Sequence, residues 1–197
     1  MTIGGVLICG FSVGIFNFSM FGMDPFQVLA HGVWAHTTMG FGTFYMLLNL
    51  AMLVVIYFVD KTKIGLGTMI NIFLLGYVVQ FSSWFFDRII PDPSLLLRSV
   101  SLGVGILVIS LGAAIYFVGD MGVSTYDAVA LVMSEKKIAK FQYCRIGTDL
   151  ICTLIGFLFG ATVGVGTLVT AFFMGPIIAF FRRTVAEPFR YGKNSSQ

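Results

Sequence analysis

The chain has 197 residues, 57% of them hydrophobic and 11% charged, against about a quarter charged in soluble domains. That balance excludes an ordinary soluble domain and leaves an integral membrane protein. The net charge of +3 is spread over short loops and the C-terminal stretch, so it indicates no nucleic-acid partner.

Six segments carry the roughly 17 to 25 mostly apolar residues that a helix needs to cross a bilayer: about 3–21, 42–59, 65–86, 99–118, 141–159 and 165–181. Alternation of apolar and polar residues is absent, so helices and not barrel strands are expected. The first segment has neither a basic start nor a small-residue cleavage site, which marks a retained span and not a signal peptide.

After it comes a break, Gly22-Met23-Asp24-Pro25-Phe26-Gln27. Asp24 suits the N-cap, Pro25 the first helical position and Gln27 the closing position of a capping box. A short helix over 24–39 follows, holding Asp24, Gln27, His31 and His36 and too polar to read as a span. The two histidines are five apart, about 140° around a helix, which is poor spacing for one metal and suits surface positions. The next two spans form a hairpin around Gly65-Leu66-Gly67-Thr68, whose glycines permit a tight turn and whose threonine can cap the following helix.

The second half repeats these signals. Gly122-Val123-Ser124-Thr125-Tyr126-Asp127 breaks the chain again, Ser124 and Asp127 having the form of a capping box before a short helix over 124–139. Gly164-Val165-Gly166-Thr167 mirrors the earlier Gly-x-Gly-Thr turn. A shift of one hundred residues aligns Gly5 with Gly105, Gly22 with Gly122, Phe41 with Phe141 and Leu50 with Leu150, and one deletion then brings Gly76 onto Gly175. Composition alone makes apolar helices alike, but matched punctuation in one order and spacing favours a duplication. The expected organisation is repeat 1 over 1–98, repeat 2 over 99–183 and a polar cytoplasmic tail over 184–197.

The predicted fold class is an all-α membrane helix bundle of six transmembrane helices plus two short re-entrant or interfacial helices. With three crossings per half the second copy enters from the opposite side, giving two inverted repeats. Ten Lys and Arg residues then fall on the face holding both termini and only Arg88 and Arg98 on the other. The positive-inside rule places both termini in the cytoplasm of a bacterial cell membrane. Cys9, Cys144 and Cys152 are odd in number, and the last two, about 12 Å apart along one helix, cannot bridge. Small residues at Gly10, Gly14, Gly103, Gly112 and Ala113 fit close helix packing, within the bundle or between subunits.

A Gly-x-x-Pro-aromatic motif before a short helix, a hydrophobic hairpin, Gly-x-Gly-Thr and a Gly-centred last helix resemble the bacterial YczE/YitT group of membrane proteins. The resemblance covers about residues 5–183 and is clearest at 22–28, 65–76, 122–128 and 164–175. Gln27 stands where the group suggests an acid, and Thr125 where it suggests proline. The resemblance implies a topology and not an activity.

Candidate binding residues are polar side chains inside apolar spans. Asp149 lies about three turns into the fifth span, where a carboxylate costs about 2.5 to 3.5 kcal/mol and must face protein or water. Arg145, one turn earlier, can pair with it; the blander reading is that Arg145 snorkels to the cytoplasmic surface and Asp149 merely pairs with it. The duplication sets Asn49 against Asp149 and Tyr45 against Arg145. Asn71 is an amide within a span, and Thr68 and Thr167 sit inside the glycine turns. Asp127 and Gln27 either complete capping boxes or face a cavity at a helix start, where N–H groups and the dipole meet a solute.

No nucleophile with a matched base, no metal cluster and no phosphate loop is present, so neither an enzyme nor a cofactor is expected. The leading expectation is a transporter or permease for a small polar or charged solute, with its site near the bilayer midplane between the two inverted repeats. The alternatives are a substrate-capturing membrane subunit or scaffold that needs a partner for transport and, more weakly, a membrane-embedded enzyme acting on lipid; the expected partners are the lipid bilayer, a small solute, and a second copy or a partner subunit.

Overall fold

The computed structural model describes residues 1–119 and 121–191, with the backbone alone for Phe141 and Gln142. Its elements are α1 (Thr2–Phe18), α2 (Pro25–Trp34), α3 (Phe41–Asp60), α4 (Leu66–Ile89), α5 (Leu95–Val118), α6 (Thr125–Glu135), α7 (Phe141–Leu158), α8 (Val165–Phe181) and α9 (Glu187–Tyr191). A π-helical turn, Arg182–Ala186, joins α8 to α9.

Among the described residues four helices are long and apolar enough to cross a membrane: Phe41–Lys63, Leu66–Ile89, Leu95–Val118 and Val165–Tyr191. The expected six spans are therefore corrected to four. The first candidate stops at Phe18, because Met20 turns to φ 57°, and its 17 residues rise about 25 Å, short of a hydrocarbon core of about 30 Å. The fifth candidate, α7, carries Arg145, Thr148 and Asp149 and is not apolar enough. Inverted repeats fall with the count, since inversion required three crossings in each half and two qualifying helices lie in each.

Helix α1 is the centre of the bundle, laid along α4 on one side and α5 on the other. Small residues permit the approach: a Cβ on Gly5 would lie 2.8 Å from Tyr116 N, one on Gly10 2.7 Å from Val78 Cγ1, and one on Gly14 2.3 Å from the Ser82 hydroxyl. Ser82 donates to Gly10 O at 3.0 Å, so α1 and α4 are also hydrogen-bonded. Gly112 packs on Cys9 in the same way, whereas Gly103 faces open space.

The loops gather at two ends of the bundle. At one end Lys63 pairs with Glu135 at 2.5 Å, Val123 N–H donates to Lys63 O, Thr2 lies against Gly119, and Arg190 donates to Val118 O. At the other, Gly166 N–H donates to Phe21 O at 2.9 Å and the His36 ring meets Phe159. The glycine breaks are seated in the glycine turns of the opposite half. Gly22, at φ +109°, lies against Gly164 and Thr167, and Gly122, at φ +101°, against Gly65 and Thr68.

Beyond α8 the chain continues as helix to Tyr191, with Ala186 buried on Ala114 and Val118. The remainder of the expected tail, 192–197, lies outside the described residues.

Candidate functional site

The short helices α2 and α6 begin beside one another in the interior. Phe26 stacks on Tyr126 with ring centroids 4.8 Å apart and an interplanar angle of 20°. From there α2 runs toward the end holding Phe159, and α6 toward the end holding Lys63. Neither lies on the surface: Phe26, Gln27, Val28 and Ala30 of α2, and Thr125, Tyr126, Ala128 and Ala130 of α6, are all buried. Close glycine contacts seat α2. A Cβ on Gly156 would meet Val28 O at 2.3 Å, which lets α2 rest directly on the α7 backbone.

The capping geometry differs from the boxes read in sequence. Asp24 is the N-cap of α2 and accepts the Phe26 N–H at 3.2 Å. Gln27 does not close a box: it is 2% exposed, and its Oε1 has no hydrogen-bond partner. Ser124 accepts the Asp127 N–H at 3.1 Å, but its hydroxyl also donates to Asp127 Oδ2 at 2.6 Å. The Asp127 carboxylate is thereby turned into the interior, where it pairs with Arg145.

Arg145 ties three side chains together. Its Nε lies 3.3 Å from Asp149 Oδ1, its guanidinium pairs with Asp127, and its Cζ sits 4.5 Å above the Tyr126 ring. Tyr126 in turn donates its hydroxyl to Asp149, which is 3% exposed. Inward pairing, and not snorkelling alone, describes Arg145. A buried ion pair is costly unless its remaining donors and acceptors are met, and here the aromatic face and the phenol hydroxyl meet them.

A second buried link joins α3 to α6. Thr125, 1% exposed, donates its hydroxyl to Asn49 Oδ1 at 2.6 Å, and Asn49 Nδ2 donates to Tyr45 O at 2.8 Å. Asn49 and Asp149 thus both reach the start of α6, through Thr125 and Tyr126.

Around these groups lies a cavity of ≈ 90 Å³. Asp24, Gln27, Tyr45, Asn49, Asn71 and Asp127 are among its polar lining. Phe26, Tyr116, Tyr126 and Met174 supply apolar wall. A hollow of ≈ 30 Å³ lined by Arg145, Asp149, Thr170 and Met174 adjoins it. That hollow shares Phe117, Arg145, Gly175 and Ile178 with an outer crevice of ≈ 510 Å³ lined from α5, α6, α7 and α8.

Thr68 and Thr167 do not line the cavity. Thr68 donates to Val123 O at 2.8 Å and accepts the Gly65 N–H, and Thr167 accepts the Gly164 N–H, so both serve the glycine turns. His31 is not a surface residue: its ring stacks on Phe41 at 4.2 Å. Asp24 and Tyr126 escaped sequence reading as lining residues. The signal was present, since Asp24 and Asp127 occupy the two helix starts and Tyr126 sits between the break and the acid.

The fold and site define a multi-pass membrane protein with a charged cluster at the meeting of two short interior helices. The chain belongs to a family of unknown function, DUF6198, whose profile matches residues 1–183. It is 26% identical over 180 residues to an uncharacterized protein of Haemophilus influenzae, covering 91% of this chain and 81% of that one. An uncharacterized membrane protein of Bacillus subtilis, YczE, is 22% identical over 178 residues, covering 89% and 81%. YyaS, from the same organism, is 23% identical over 185 residues, covering 94% and 92%. The resemblance read from the glycine motifs therefore holds over most of the chain. No solved structure matches.

Proposed function

We propose that the protein is a transporter or permease for a small polar or charged solute, which binds where α2 and α6 begin. One observation carries this reading: the ≈ 90 Å³ cavity is lined by polar side chains, and Gln27 Oε1 and the Tyr116 hydroxyl stand buried beside it without partners. Native interiors satisfy buried polar atoms, so open hydrogen-bonding capacity around a cavity suits a solute that comes and goes. Asp24, Gln27, Tyr45, Asn49, Asn71 and Asp127 are the proposed contacts, and Arg145 and Asp149 brace them from behind. The adjoining hollow and crevice offer a route outward past Arg145 and Met174.

The orientation proposed is with both termini in the cytoplasm. Lys61, Lys63, Lys136, Arg182, Arg183 and Arg190 cluster at the end that holds Thr2, as the positive-inside rule requires of a cytoplasmic face; the Lys63–Glu135 pair and the Arg190 contact with Val118 support that grouping.

The test is reconstitution of the purified chain in liposomes and a screen of small amines, carboxylates and zwitterions for uptake. Uptake with no added partner, lost in Asp127→Asn, is the expected result. Binding without uptake of any of them supports a capture subunit instead, and turnover of bilayer lipid an enzyme.

A further inference from the structure

The cavity's charge and walls narrow the solute. The site holds three carboxylates, Asp24, Asp127 and Asp149, and one guanidinium, and Arg145 is engaged by Asp127 and Asp149. Asp24 makes no ion pair among the described residues; its hydrogen bonds come from the start of its own helix, the Phe26 and Gln27 N–H groups. The two helix starts add about half a positive charge each. The sum leaves the site about one unit negative, which a monovalent cation would neutralise.

The walls distinguish the kind of cation. Among the described residues no three His, Cys, Asp or Glu side chains lie close enough to hold a metal ion. Asp24 shares the cavity lining with four aromatic residues, Phe26, Tyr45, Tyr116 and Tyr126, of which Tyr126 is already faced by Phe26 and Arg145. Phe26 and Tyr45 meet edge to face at 5.5 Å, so their rings form a corner and not a flat wall. A ring face beside a carboxylate attracts an ammonium through the ring quadrupole, more strongly where water is excluded. Gln27 Oε1, buried and unpartnered, is an acceptor waiting for an N–H. The volume of ≈ 90 Å³ equals about three waters at roughly 30 Å³ each, room for a few heavy atoms.

We infer that the cavity binds a compact organic ammonium, a primary or methylated amine in its cationic form, with Asp24 as counter-ion, the aromatic corner as wall and Gln27 as acceptor. The inference rests on the proposed solute site and names the class of solute it takes. Methylammonium offers N–H groups to Gln27, while tetramethylammonium has none and is held by charge and rings alone.

Equilibrium binding of methylammonium and tetramethylammonium to the full chain in detergent, at constant ionic strength and with acetate as the anionic control, tests it. Saturable binding of methylammonium is expected, weakened at least about tenfold in Asp24→Asn and unchanged in Asp92→Asn, an exposed acid far from the cavity. Asn caps a helix as well as Asp does, so loss of binding in a monodisperse Asp24→Asn protein reports charge and not misfolding. Gln27→Leu should weaken methylammonium and spare tetramethylammonium. Failure of both cations to bind, preference for acetate, or an Asp24→Asn protein that binds as tightly as the parent overturns the inference. An acetate-selective chain that still drives uptake leaves the transport reading standing, whereas ammonium binding without uptake does the reverse.

Discussion

Phe26 and Tyr126, one hundred residues apart in the chain, stack face to face at 4.8 Å. This contact brings together the starts of the two short helices, and with them Asp24, Gln27, Thr125 and Asp127. Neither helix has enough residues to stand alone in water, where helices shorter than about 12 residues are marginal. Each is held by burial, and α2 also by glycine contacts with α7.

The Thr125–Asn49 hydrogen bond predicts a measurable coupling. Thr125→Val removes the donor and leaves Asn49 Oδ1 buried without one, a loss of about 1 to 3 kcal/mol. Asn49→Leu alone should be similarly costly. The double variant should recover part of the sum, read as a double-mutant cycle from unfolding in detergent; strict additivity would mean the bond contributes nothing.

Arg145 should matter more to stability than either acid it holds. Arg145→Met leaves two carboxylates, Asp127 and Asp149, without their cation, and breaking a buried pair costs about 3 to 5 kcal/mol. Asp149→Leu removes one acceptor from Arg145 and the partner of the Tyr126 hydroxyl; solute handling should be lost while a folded chain is still recovered. Thermal unfolding midpoints in the order parent, Asp149→Leu, Arg145→Met check this ranking, and the reverse order of the two variants would contradict it.

The seated glycines separate conformational need from composition. Gly22→Ala and Gly122→Ala each place a Cβ 2.6 Å from a glycine nitrogen of the opposite half, at positive φ, and should cost at least about 1 kcal/mol each. Gly147→Ala, within α7 and with nothing inside 4 Å, should be neutral or stabilising by up to about 1 kcal/mol. Midpoint shifts measured side by side provide the comparison.

Orientation can be read by labelling. In a cysteine-free background, Thr62→Cys at the basic end should resist a membrane-impermeant maleimide in intact cells, and Asp92→Cys at the opposite end should react. Both positions are exposed in the structure. The reverse pattern would put the termini outside.

Much of this fold was legible from residue order alone. Asp24 and Ser124 marked helix starts because their side chains can take orphan backbone N–H groups, and both do. The Gly-x-Gly-Thr turns were visible from glycine and threonine chemistry, and the threonines cap as expected. Span number was only half legible. Hydropathy cannot see that Met20 turns the chain after Phe18 and leaves α1 short, whereas the polarity that disqualifies α7, from Arg145, Thr148 and Asp149, stands in its residues.

The sequence by itself determined that this is a helical membrane protein, where its short helices begin, and which polar residues must find partners within it, because these follow from local propensity and from the cost of bare polar groups in hydrocarbon. Which partners they find was decided only by tertiary structure. Asp127 bridging Ser124 and Arg145, Gln27 left open beside a cavity, and Asp24 sharing that cavity with aromatic residues all depend on two helix starts meeting across a hundred residues, and no local rule encodes a contact between groups so far apart in the chain.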